Sequence, residues 1–96
     1  MTGVIRHIVL LKLNDKADAD EAVGQLRGMD GRIESLRSLE AGSNVVESDR
    51  AYDVAVQTTF DDLAGLKVYA DHEVHQPVIA WIRAHCSSIV AIDYEF

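Results

Sequence analysis

In the segment from Tyr52 to Phe60, YDVAVQTTF, largely apolar side chains alternate with smaller or more polar ones. Its largely apolar face carries Tyr52, Val54, Val56, Thr58 and Phe60. This alternation is typical of a strand in an antiparallel sheet that packs one face against a core. The segment is therefore predicted to be a half-buried strand.

Three further segments are predicted strands: Val4 to Leu13, Leu39 to Val46 and Ile89 to Phe96. Gly42 in the second of them suggests a bulge or a close backbone approach. The faces expected to meet the helices are Ile5, His7, Val9, Leu11 and Leu13 on the first strand, and Val90, Ile92, Tyr94 and Phe96 on the last.

Helices are predicted between these strands. From Asp18 or Asp20 to Leu36, apolar residues recur at steps of three and four, although the glycines in this stretch weaken a helix. Asp61 or Asp62 is expected to cap a short helix reaching about Tyr69, and Pro77 suits the first turn of another. The order β-α-β-β-α(α)-β predicts one α+β domain over residues 1–96, with a ferredoxin-like, four-stranded antiparallel sheet.

The opposite face of this sheet is expected to mix apolar and polar side chains. Its predicted apolar members are Val4, Ile8, Leu10, Ala55, Ile89 and Ala91, and its predicted polar members are Arg6, Gln57, Thr59, Asp93 and Glu95. A face with this much apolar surface favours cover by a second copy, and two such sheets would close a barrel in a homodimer. Scattered exposed apolar residues on a monomer are the alternative.

Composition excludes several classes of partner. The 96 residues carry a formal net charge of −7 and contain no block of basic residues, which argues against nucleic acid and against an anionic membrane surface. The apolar run at the start is too short to span a bilayer, and Cys86 is alone. We therefore expect a protein of the cytoplasm.

Motifs along the chain resemble those of the stress-responsive A/B barrel (Dabb) family, part of the dimeric α+β barrel superfamily. The opening Ile5–Leu13 segment, with its early His7 and later Lys12, is similar to the family's first strand. The other motifs that resemble the family are Gly42 with Asn44, Tyr52-Asp53 leading to Thr59-Phe60, Tyr69-x-x-His72-x-x-His75, and Asp93-Tyr94. Members commonly have proline after the first histidine of the pair, where this chain has Glu73.

The resemblance implies a homodimer with a cavity between each sheet and its helices. Members described as cyclases act on polyketide-like substrates through the Tyr and second His of that signature, which fall here on Tyr69 and His75. The first-strand histidine falls on His7. Many members have no established activity, so the resemblance equally implies a non-enzymatic stress-response binding or interaction protein.

The residue types allow chemistry without a cofactor. His75 would remove a proton next to a carbonyl, and Tyr69 would donate a hydrogen bond to the carbonyl oxygen, with His72 or Asp71 orienting the pair. Such a site would act as a cyclase, lyase or isomerase on a small apolar or carbonyl-containing ligand. The predicted substrate-binding residues are His7, Val9, Leu11, Val54, Val56 and His72.

Other interpretations of the same residues stay open. The position of His7 on an apolar strand face also fits a core histidine that is hydrogen-bonded to its neighbours. Tyr69 could pack at a helix end beside two surface histidines. A metal site could use His7, His72 and His75 with Asp71 or Glu73, although this spacing is not diagnostic. By analogy of fold alone, a small monooxygenase of the dimeric α/β barrel type is a further alternative.

Overall fold

A computed structural model describes residues 3–96. Its strands are β1 (Ile5–Leu13), β2 (Ser38–Ser43), β3 (Val54–Phe60) and β4 (Cys86–Glu95). Its helices are α1 (Ala19–Arg27), α2 (Leu63–Asp71) and α3 (His75–His85), and a single 3-10 turn, Lys16–Asp18, precedes α1. The predicted order of strands and helices is confirmed.

The four strands form one antiparallel sheet in the order β2-β3-β1-β4. The first strand lies in the centre and pairs Val9 with Val56 of β3 and with Ala91 of β4. Directly opposed residues of an antiparallel pair point to the same side, so this register assigns every strand residue to a face. The strand order is that of the ferredoxin-like fold, as predicted.

The face of β1 and β3 that was expected to meet the helices does so. Ile5, Leu11, Val54, Val56 and Phe60 are each 5% exposed or less, and the helices cover them with Val23, Leu26, Tyr69, Val78 and Ile82. Thr58, the polar member of this face, is fully buried, and its hydroxyl donates to the carbonyl oxygen of His7. The core therefore lies between this face and the three helices.

The prediction for the last strand was wrong about which of its two faces meets the helices. Ile92 pairs with Ile8 and Tyr94 with Arg6, which places the even-numbered residues of β4 on the outer face of the sheet. Val90, Ile92, Tyr94 and Phe96 are exposed, by 39–58%. Ile89, Ala91 and Asp93, which were assigned to the outer face, lie on the helix side. Alternation shows which residues share a face and leaves open which face the helices cover.

The first helix is shorter than predicted. It ends at Arg27, and single turns with bonds three residues apart, such as Arg32 N–H to the Met29 carbonyl, carry the chain onward. Gly31 then adopts φ +80°, a left-handed conformation that ends any helix. Met29 and Ile33 are buried as expected, since the turns deliver them to the core without a helix.

The second strand also ends early, at Ser43. Gly42 pairs regularly with Ala55, and a Cβ placed on it would meet no atom within 4 Å, so neither a bulge nor a close approach explains this glycine. The exposed residues Val45 and Val46 belong to the loop that follows.

Local signals start the last two helices where predicted. Asp62 caps α2, its carboxylate accepting the Gly65 N–H at 2.8 Å. Pro77 lies in the first turn of α3, where its missing N–H costs no helical bond. Within residues 3–96, no helix has the length and apolar character needed to cross a membrane.

Candidate functional site

A cavity of about 200 Å³ lies between the helix-facing side of the sheet and the helices α2 and α3. Its lining residues are His7, Val9, Leu26, Val56, Tyr69, His75, Ile79, Ile82, Arg83 and Ile89. Most of the wall is aliphatic, and the polar groups are two histidines, one tyrosine and one arginine. Pockets for drug-sized ligands have roughly 300–1,000 Å³, so this cavity suits a smaller molecule.

Tyr69 comes from the last turns of α2, and its side chain enters the core. Its ring packs on Phe60, with ring centres 5.1 Å apart, and on His75, with ring centres 4.3 Å apart. Burial raises the pKa of its hydroxyl to about 12, so the hydroxyl keeps its proton at neutral pH. This hydroxyl has no hydrogen-bond partner within residues 3–96 and is free to donate to a ligand.

His75 is the first residue of α3. Its Nδ1 lies 3.2 Å from the carbonyl oxygen of Ala70, which can only accept, so Nδ1 carries the proton and Nε2 is left unprotonated. Desolvation by burial lowers the pKa of His75, and the Ala70 carbonyl opposes part of this effect. The imidazole is therefore neutral at pH 7 and has the state that a general base requires.

His7 lies across the cavity from α3, on the central strand. Its Nδ1 donates to the carboxylate of Asp93, the residue directly opposite on β4. The ring stands edge-on to Tyr69, with centres 6.1 Å apart. Because the carboxylate holds the proton on Nδ1, Nε2 is the ring nitrogen left for a ligand.

The sequence-predicted site residues divide into two groups. Five of them line the cavity together: Tyr69, His75, His7, Val9 and Val56. Leu11 and Val54 are buried in the core and do not belong to its lining.

His72 lies outside the cavity. Helix α2 ends at Asp71 and α3 begins at His75, so Tyr69, His72 and His75 surround the turn between the two helices. His72 Nδ1 accepts the Val74 N–H at 3.1 Å, while Nε2 lies 3.3 Å from Glu34. Asp71 pairs with Lys67. Neither residue orients His75; the Ala70 carbonyl does.

Two polar groups at the cavity were not in the predicted site. Asp93 was assigned to the wrong face of β4, although an isolated histidine on an apolar strand face signals a polar partner nearby. Arg83 follows His75 by eight residues and Ile79 by four, so all three share one side of α3. Its spacing could have been noticed, but its contact with the cavity depends on how α3 packs.

The alternative metal site is not assembled. In the range 3–96, no three His, Cys, Asp or Glu side chains lie together in a way that could hold an ion. His72 is turned toward Glu34, away from the pair that His7 and His75 form around Tyr69.

A larger depression of about 520 Å³ lies between α1 and the start of α3. It is lined by Glu21, Gly24, Gln25, Gly28, Met29, Arg32, Glu73, Val74, Pro77 and Val78. None of the predicted catalytic or substrate-binding residues lines it, and of the alternative metal ligands only Glu73 does. The smaller cavity is therefore the better candidate despite its size.

A four-stranded antiparallel sheet with helices on one face, and a small open cavity between the two layers, defines an α+β protein of the ferredoxin-like class. The family model described as "Stress responsive A/B Barrel Domain" matches residues 5–96. This chain belongs to that family.

Known proteins resemble it along nearly its full length. An uncharacterized protein of Streptomyces coelicolor is 40% identical, over 97% of this chain and 100% of its own length. A dimeric protein of unknown function from Bacteroides fragilis is 28% identical, with a TM-score of 0.85 and coverage of 98% and 97%. Hydroxynitrile lyase from Passiflora edulis has the same TM-score, 0.85, at 16% identity and covers 100% and 95%, a likeness of fold alone.

Proposed function

We propose that this protein is a homodimeric, small-molecule-binding A/B barrel protein that performs acid–base chemistry on a carbonyl compound without a cofactor. The observation that carries the proposal is the proximity, in one largely aliphatic cavity, of an unprotonated imidazole nitrogen on His75 and the hydroxyl of Tyr69, which bonds to no described residue. A base and a hydrogen-bond donor are the two groups that enolate formation needs.

In the proposed first step, Nε2 of His75 removes a proton from the carbon next to the carbonyl. The C–H bond breaks, its electron pair moves toward the carbonyl carbon, and negative charge develops on the oxygen. Tyr69 donates a hydrogen bond to that oxygen. A hydroxyl with a pKa of about 12 stabilises the enolate as a donor and keeps its own proton.

The proton on His75 then completes the reaction. Its return to a different carbon isomerises the substrate, while attack of the enolate carbon on a second carbonyl closes a ring and consumes the proton at the new oxygen. Run backward, the same sequence of steps breaks a carbon–carbon bond, which is a lyase reaction. His7, oriented by Asp93, would accept a hydrogen bond from a substrate hydroxyl through Nε2.

Homodimer formation is the second part of the proposal. The outer face of the sheet carries Ile8, Leu10, Val90, Ile92 and Tyr94, and the Arg6 guanidinium lies over the Phe96 ring at 4.2 Å. A second copy would remove this surface from water, and the Bacteroides protein of the same fold is dimeric. The cavity opens on the other side of the sheet, so both sites would stay accessible.

Deuterium exchange tests the chemistry. Cyclohexanone, which fits a small aliphatic cavity, would be incubated with the protein in D₂O, and loss of the proton signals next to its carbonyl would be followed by NMR. We expect exchange above the buffer rate, and His75→Ala should lower the protein-dependent rate by roughly 100-fold or more.

His85→Ala is the matched control. This histidine also lies on α3, but it stacks on Trp81 with ring centres 4.0 Å apart and does not line the cavity. Exchange that persists in His75→Ala would contradict the assignment of the base. Binding of the ketone without any exchange in the wild type would favour the non-enzymatic stress-response role.

A further inference from the structure

Arg83 lies two turns beyond His75 on the same side of α3. Residues 75, 79, 82 and 83 follow the spacing of one helix face, and all four line the cavity. Eight residues of helix correspond to a rise of about 12 Å, and the long arginine side chain spans part of that length. The cavity thus has the acid–base groups at one end and a guanidinium at the other.

Nothing in the described chain neutralises this guanidinium. Within residues 3–96, Arg83 makes no ion pair and no hydrogen bond to another side chain or to the backbone. No Asp or Glu belongs to the cavity lining, and the carboxylate of Asp93 is hydrogen-bonded to His7. Arg83 is therefore the one lysine or arginine in a cavity lining that contains no carboxylate.

We infer that Arg83 binds a carboxylate of the substrate, and that the natural ligand is a small oxo acid. The inference rests on the proposed function for the carbonyl end of the ligand. A planar guanidinium binds carboxylates through paired hydrogen bonds, and the aliphatic wall between the two ends suits a short hydrocarbon chain. Anchoring the carboxylate at Arg83 would hold the carbonyl of the same molecule toward Tyr69 and His75.

Levulinate and levulinamide provide a matched pair of probes. They share a ketone and a short chain, and only levulinate is an anion. Titration calorimetry or NMR line shifts should give a dissociation constant for levulinate that is roughly tenfold lower than for levulinamide. Arg83→Gln should remove this preference by weakening levulinate alone, and Arg83→Lys should retain part of it.

Arg50→Gln is the control, since Arg50 is an exposed arginine in the loop before β3, outside the cavity lining. Equal affinity for the two probes, no measurable levulinate binding, or an equal loss in Arg50→Gln would each overturn the inference.

The binding measurement is independent of catalysis. A levulinate preference that depends on Arg83 in a protein without cyclohexanone exchange would leave this inference standing and remove the proposed reaction. Cyclohexanone exchange in a protein that shows no levulinate preference would support the proposed reaction and overturn this inference. His75→Ala should keep the preference, because it leaves the guanidinium in place.

Discussion

In each histidine of the cavity, the position of the Nδ1 proton is fixed by a neighbour other than Tyr69 or the second histidine. A backbone carbonyl at Ala70 fixes the proton of His75, and a carboxylate on another strand, Asp93, fixes that of His7. In each case an acceptor holds Nδ1–H, so Nε2 is the nitrogen left for a ligand. Both histidines therefore leave the same ring nitrogen, Nε2, for a ligand.

The lowered pKa of His75 makes stability depend on pH. As pH falls below the ordinary value of 6.5, the unfolded chain takes up a proton at this position before the folded protein does, so the free energy of unfolding decreases. The decrease levels off below the folded-state pKa. We expect urea denaturation at pH values on either side of 6.5 to give a smaller loss for His75→Gln than for the wild type; equal losses would contradict the shift.

Tyr69→Phe separates the hydroxyl from the ring. Because the hydroxyl bonds to no described residue, its removal should change the free energy of unfolding by less than about 1 kcal/mol, yet lower the ketone exchange rate by about 100-fold. Tyr69→Ala should instead cost about 3–5 kcal/mol, since it also removes a ring packed on Phe60. A large loss of stability in Tyr69→Phe would show a structural hydroxyl.

The helical spacing of apolar residues continues in the sequence beyond the end of helix α1. Its apolar residues keep helical spacing to Ile33, but the chain after Arg27 is a series of turns closed by Gly31 in a left-handed conformation. Those turns bring Met29 and Ile33 to the core as a longer helix would have done. Spacing alone could not separate the two cases.

Two glycine substitutions in this region should have opposite signs. Gly31→Ala should lower the free energy of unfolding by about 1 kcal/mol, because alanine is strained at φ +80°. Gly24→Ala should raise it by about 0.5–1 kcal/mol, since this position is inside α1 and an added Cβ meets no atom within 4 Å. Thermal melts of the two variants check the pair, and a shift of the same sign in both would contradict it.

The whole molecule has two differently used faces of one sheet. The inner face, with its helices, contains the core and the cavity, and the outer face leaves apolar side chains in contact with solvent. The corrected facing of the last strand strengthens the case for a second copy, because Val90, Ile92, Tyr94 and Phe96 lie on the outer face of the sheet. The expected location in the cytoplasm stays a prediction.

Light scattering coupled to size exclusion tests the homodimer. The wild type should have twice the 10.6 kDa mass of one chain, and Ile92→Lys should be a folded monomer because it puts a charge in the centre of the proposed interface. Val68→Lys is the control, since Val68 is exposed to a similar degree, 43% against 58%, but lies on α2. A wild-type mass of 10.6 kDa would rule the homodimer out.

The amino-acid pattern was sufficient for the order of strands and helices, the cap at Asp62, the place of Pro77 in the first turn of α3, and the inner face of β1 and β3. These features depend on residues close together in the chain, and local propensity and alternation report them directly. The motif likewise brought Tyr69, His75 and His7 into one predicted site.

Packing between distant segments settled the rest. The face of β4, the contact between Asp93 and His7 and the position of Arg83 at the cavity each depend on how segments far apart in the chain meet. Alternation is symmetric between the two faces of a strand, so register with β1 was needed to decide which face of β4 the helices cover. The same register places Asp93 opposite His7, which is why the sequence pattern could not reveal that pair.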